Sequence, residues 1–129
     1  MNLQKRFLLA GVFSVLVLTL ACSRSNNWEN YNLAGRDAYK RGDFAEAEKQ
    51  WLAARASAEK LGSQDARLAA TLSNLAEVYR AQGKYSESEE LNRRALAIWE
   101  KDLGKPEDPG VAQALNSLAL TYGAQGRHA

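Results

Sequence analysis

Leu72-Ser73-Asn74-Leu75-Ala76-Glu77-Val78-Tyr79-Arg80-Ala81-Gln82-Gly83-Lys84-Tyr85 is the stretch that decides how this chain folds. Around it, Leu68, Leu72, Leu75, Ala76 and Tyr79 recur at three- and four-residue steps. Beyond Gly83 the same spacing resumes at Tyr85, Ser88, Leu91, Ala95, Leu96 and Trp99. With about 3.6 residues per turn, each set falls on one side of a helix. The stretch therefore predicts two amphipathic helices folded back on each other at a glycine turn.

Working outward, the unit repeats. Gly42, Gly83 and Gly126 align at spacings of 41 and 43, and Leu61-Gly62 and Leu103-Gly104 lie 42 apart. The first unit carries Tyr31, Ala34, Gly35 and Ala38 before its glycine, then Phe44, Ala47, Trp51 and Ala54 after it. Asp43 with Glu46 has the spacing of a capping box, and Asp108-Pro109 supplies an N-cap followed by proline at the first helical position. Gly62 and Gly104 stand where a helix would end in a left-handed residue. A helical hairpin recurring about every 42 residues predicts an all-α stack, in which each unit hides its apolar side on the next.

These residues resemble the tetratricopeptide repeat, in particular the longer version found in kinesin light chains. The matching string is the one quoted above, continuing through Leu91-Asn92-Arg93-Arg94-Ala95-Leu96. Counting units from Trp28, Ala69 and Ala112, the family's small eighth residue is Gly35, Ala76 or Ala119. Its small twentieth residue is Ala47 or Ser88, and its twenty-seventh Ala54 or Ala95. Helices packed about 8–10 Å apart need such residues. The resemblance implies a solenoid of about two and a half repeats over 28–62, 69–104 and 112–128, the last incomplete. Five helices are expected, with Leu115, Leu118, Ala119 and Tyr122 of the last covering the second unit. A piece of a longer array is the alternative.

The resemblance also implies a concave groove that receives a partner protein or peptide. By helical geometry the face concerned includes Asn32, Arg36, Tyr39, Lys40, Ser73, Glu77, Arg80, Asn116 and Leu120. Arg36, Lys40 and Arg80 suit a carboxylate or acidic segment, and Asn32 and Asn116 a peptide backbone. The plainer reading of these positions is a solvated helix face whose charges pair among themselves.

Ahead of the repeats lies a different kind of segment. Lys5 and Arg6 precede an uninterrupted apolar or small run from Phe7 to Ala21, which Cys22 closes. That is the layout of an export signal. The run of 15 residues falls short of the roughly 17–25 needed to span a bilayer as a helix. Its end, Leu18-Thr19-Leu20-Ala21-Cys22, resembles the lipobox of bacterial lipoproteins, although Thr19 stands where Leu is commoner. The resemblance implies a signal peptide over 1–21, lipidation of Cys22, and a polar tether over 22–27. Ser23 in place of Asp implies the outer membrane, where a cell has two. The expected location is the cell envelope, with the chain held by its lipid.

Of 17 basic residues, Lys5 and Arg6 belong to that leader, which leaves 15 against 15 acidic ones. A near-neutral chain without a basic stripe gives no footprint for nucleic acid. His128 is the sole histidine and Cys22 the sole cysteine. No catalytic residue, metal site or cofactor is expected; Glu87, Glu89 and Glu90 read as a surface paired with Arg93 and Arg94. The expected function is a membrane-anchored adaptor or scaffold that is not an enzyme. The alternatives are a lipoprotein that self-associates through its open C-terminal repeat as a homo-oligomer, or a non-catalytic subunit of an envelope enzyme.

Overall fold

A computed structural model describes residues 27–103 and 107–126. The expected signal peptide, Cys22, most of the tether, Gly104 and His128 lie outside the described residues. Among the described residues there are five helices and no strand: α1 over 27–40, α2 Phe44–Glu59, α3 Ala66–Ala81, α4 Tyr85–Leu103 and α5 Pro109–Ala124. Asn27, expected in the tether, is already helical.

The turns follow from their residues. Gly42 and Gly83 both take φ 77, a left-handed conformation that a Cβ disfavours. Each is followed by a residue whose N–H reaches back five positions, Asp43 to the Ala38 carbonyl at 3.0 Å and Lys84 to that of Tyr79 at 2.8 Å. This bond closes the preceding helix in the Schellman manner. Asp43 then opens α2, accepting from the Glu46 N–H at 3.1 Å. Only half of the expected capping box forms, since the Asp43 N–H is already donated to Ala38. Gly62 departs from expectation: its φ of 149 is not left-handed helical, and α2 ends instead through Lys60 in the right-handed region. Asp108 caps α5 by accepting from the Gly110 N–H at 2.7 Å, with Pro109 in the first turn.

α3 lies at the centre of the stack and packs on α2, α4 and α5. Hydrogen bonds from Trp28 to Thr71 and from Asn74 to Asn32 also join it to α1. Two apolar clusters result. Ala38, Ala47, Trp51, Ala54, Leu75 and Val78 weld the first hairpin to α3. Ala58, Leu68, Ala69, Leu72, Ala95 and Ile98 weld α2 and α3 to α4. Burial of these side chains is the main force holding the hairpins together. Ion pairs between the outer helices, such as Arg94 with Glu59 at 3.5 Å, are exposed and add little.

The ends of the stack differ from expectation. Tyr31, assigned to the packed side of α1, is 38% exposed. In α5, Leu118 is buried and Tyr122 half-buried, but Leu115 is 50% exposed and Ala119 is also exposed. Val111, Ala114, Ser117, Leu118 and Thr121 make the contact with the second unit instead. The physical reason is the stack itself: α5 is covered on one side only among the described residues.

Candidate functional site

The first helices of the units, α1, α3 and α5, form one layer, and the positions expected to line its open face are distributed unevenly. Arg36 and Lys40 are exposed on α1 and make no ion pair among the described residues. Asn116 and Leu120 are exposed on α5, Leu120 at 48%. These four side chains stand free to meet a ligand.

The other five are engaged within the protein. Arg80 donates to the Glu77 carboxylate at 2.7 Å. That bond holds the guanidinium pKa above its ordinary value. Arg80 therefore offers half of a charge pair and not a bare cation. Asn32 accepts from the Trp51 indole at 3.1 Å and from the Asn74 amide at 3.2 Å. Its oxygen is thus committed to tying α1, α2 and α3 together. Tyr39 packs its ring on Phe44 at 5.4 Å and Trp51 at 5.9 Å between centroids. It supports the first cluster from one position beyond the place that Tyr79 holds in the second unit, with Ala38 fully buried beside it.

Ser73 is a correction. Expected on the open face, it is 2% exposed and its hydroxyl has no hydrogen-bond partner. A central helix flanked by a neighbour on each side keeps less open surface than helical geometry alone suggests. Eight of the 16 residues of α3 are buried.

Two features went unread in the sequence. Asn74 joins α3 to α1 through Asn32, and the two stand one position out of the 41-residue register, which pairs Asn32 with Ser73, so the repeat gives no signal for the bond. A groove of about 660 Å³ also opens beside the first hairpin, lined in part by Tyr31, Ala53, Ser57, Lys60 and Leu61. No periodic marker points to it.

Among the described residues no group of three or more His, Cys, Asp or Glu side chains is placed to hold a metal ion. Glu89 is drawn to Arg93 at 3.0 Å and accepts from the Tyr122 hydroxyl at 3.2 Å. The arrangement of the layer, with free cations at one end, a charge pair in the middle and uncharged groups at the other, is suited to holding a polar chain by many weak contacts.

Comparison with known proteins agrees with the architecture. The family model for the tetratricopeptide repeat matches residues 29–101 and again 67–129. The crystal structure of kinesin light chain nearly identical TPR-like repeats from Podosopora anserina superposes with a TM-score of 0.68 at 26% identity. The match covers 78% of this chain and 47% of that one, so this chain spans about half the length of that relative. No curated protein matches the chain.

Proposed function

This chain belongs to the tetratricopeptide-repeat family, and from that membership we propose that it is an adaptor which holds a partner protein on its first-helix layer and is tethered to a membrane through Cys22. Tetratricopeptide repeats generally mediate protein–protein interaction. The observation that carries the groove reading is the pair of exposed cations Arg36 and Lys40, which no carboxylate of the described residues neutralises. A partner segment with acidic side chains or a terminal carboxylate supplies what they lack, and charge-assisted bonds to Arg are the stronger kind. Asn116 and Leu120 extend the contact along α5. The reading is non-catalytic, since the family's repeats recognise and do not transform.

The test uses an array of synthetic peptides, acidic and neutral, probed with the full chain. Retention of acidic peptides should fall about tenfold for Arg36→Glu with Lys40→Glu, as expected when attraction becomes repulsion. Circular dichroism should stay helical, because neither side chain is buried. Equal retention by the two proteins would end the reading.

The tether is supported by sequence: the apolar run to Ala21, the cysteine after it, and a polar stretch beyond. With Ser23 following the cysteine, the outer membrane of a two-membrane envelope is the location that this reading favours.

A further inference from the structure

The charges of the first-helix layer are ordered, and the order restricts what can cross it. In the 41-residue register that aligns Gly42 with Gly83, Glu77 on α3 holds the place that Arg36 holds on α1, and Ala81 that of Lys40. A position that is cationic on one helix is thus anionic on the next. Glu77 is the sole carboxylate of α3, and α5 carries none. Arg80, about 60° around α3 from Glu77, does not offset it for a ligand, because its Nη2 already donates to the Glu77 carboxylate at 2.7 Å. Both side chains are half-buried, at 23% exposed for Glu77 and 28% for Arg80.

The spacing of the helices sets where a crossing chain feels this pair. Neighbouring helices in such a stack lie about 8–10 Å apart, and α3 is bonded to α1 through Asn74 and Asn32. An extended chain advances about 3.3 Å per residue. A segment that crosses from α1 to α3 therefore presents to Glu77 the side chain two or three positions away from the one over Arg36. Charges in direct contact there lie well inside the Debye length of about 8 Å at physiological salt, so they act on each other with little screening.

We propose that Glu77 is the specificity-determining residue of the groove, and that it admits a segment which is acidic over α1 and uncharged or basic over α3. This rests on the adaptor reading, in which an acidic segment meets Arg36 and Lys40; Glu77 adds where the acid must stop. An acidic side chain over α3 meets a like charge and finds Arg80 taken, and like-charge juxtaposition is a means of suppressing wrong partners. A lysine or arginine in the same place gains a carboxylate to bond. The groove thus selects against a uniformly acidic chain, which a bare cationic patch would hold most tightly.

Fluorescence anisotropy of labelled peptides with the full chain in detergent tests this. The probes are nine-residue peptides with blocked ends, so that only side chains carry charge: one is glutamate throughout, and the other has three glutamates and six serines, made with the glutamates at either end so that both directions of crossing are met. The unsubstituted chain should bind the serine-containing peptide, in one of its two orders, more tightly than the all-glutamate one, although it carries fewer charges. Glu77→Gln keeps the shape of the side chain, removes the repulsion and loosens the hold on Arg80. Affinity for the all-glutamate peptide should then rise about tenfold, while the serine-containing peptide should change little, so that the ranking reverses. A gain of affinity cannot come from a variant that fails to fold. Arg36→Glu with Lys40→Glu should lose both peptides. If the unsubstituted chain binds neither peptide, or if that double variant still binds both, the adaptor reading falls and this proposal with it. If binding depends on Arg36 and Lys40, but the unsubstituted chain prefers the all-glutamate peptide or Glu77→Gln leaves the ranking unchanged, the adaptor reading stands and the selection by Glu77 is overturned.

Discussion

Trp51 lies flat against the bare Cα of Gly35, so close that a methyl group placed there would come within 2.7 Å of the indole nitrogen. The same nitrogen donates to Asn32 one turn earlier on α1, which fixes the ring over the glycine. Gly35→Ala therefore sets two effects against each other. Alanine favours a helix interior by about 1 kcal/mol over glycine, whereas overpacking costs about 1–3 kcal/mol. The clash should win, leaving the protein less stable by about 1 kcal/mol in chemical denaturation followed by circular dichroism. Gly123 is the control: a methyl group there meets nothing within 4 Å, so Gly123→Ala should be neutral or stabilising. Equal effects at the two positions would remove the explanation.

Asp65 opens α3 by accepting from the Arg67 N–H at 2.8 Å, and the Arg67 guanidinium grips both of its oxygens at 2.9 Å. The Arg67 side-chain bond, more than any other contact, holds the carboxyl below its ordinary range. A carboxyl lowered in the folded state stabilises fully above its unfolded value of about 3.9 and ceases to do so as the pH falls through the folded value. Asp65→Ala should cost about 1 kcal/mol at neutral pH, as loss of an N-cap does. The gap between the two proteins should shrink on titration toward about pH 2. Urea denaturation at both pH values measures it, and a gap that stays constant would mean that the cap acts without its charge.

The hairpin stack was legible because its period is carried by residues that have no substitute. Gly42 and Gly83 must turn left-handed, and Ala47, Ala54 and Ala95 must let helices approach, so the repeat shows even where other positions vary. What one chain segment cannot display is which sides of a helix its neighbours will take. Ser73 looks solvent-facing on a wheel, but α3 has helices on several sides and buries it. Leu115 and Ala119 look core-facing, but α5 is covered on one side only among the described residues. Tyr39 looks like an interface residue and is a packing residue, because its ring rests on Phe44 and Trp51. For the candidate groove, Arg36 and Lys40 could be placed from spacing alone, whereas the commitments of Asn32 and Arg80 depend on Trp51, Asn74 and Glu77. Those are facts of packing and hydrogen bonding.

Asn92 and Ser117 tie α5 to α4 through a buried hydrogen bond. Asn92 is fully buried, donates to the Ser117 hydroxyl at 2.8 Å, and has no partner for its oxygen. Beside it Ser88 and Thr121 share a second buried bond at 3.2 Å. Ser117→Ala would leave the Asn92 amide without its acceptor, at a cost of about 1–3 kcal/mol. Replacing both partners leaves no buried donor unmet, so Asn92→Leu with Ser117→Ala should recover most of the loss. Denaturation of the two single variants and the double variant gives the coupling directly, and additive losses would show that the bond carries no net stability.

Cys22→Ser tests the membrane tether only through covalent lipid, because the substitution does not remove the apolar run from Phe7 to Ala21. If lipid modification precedes removal of the leader, the serine variant keeps the leader and still partitions with membranes. Partitioning therefore distinguishes nothing. Covalent lipid does: cells given a fatty-acid probe should label the unsubstituted chain and leave Cys22→Ser unlabelled. Intact mass should agree, with the unsubstituted chain beginning at an acylated Cys22 and the variant beginning at its original N-terminus. One acyl chain binds a bilayer only marginally and several bind it stably, so the mass also reports whether the tether is firm enough to keep an adaptor in place. Label that persists on the serine variant, or a mature chain that begins anywhere other than Cys22, would remove the cysteine from its assigned role.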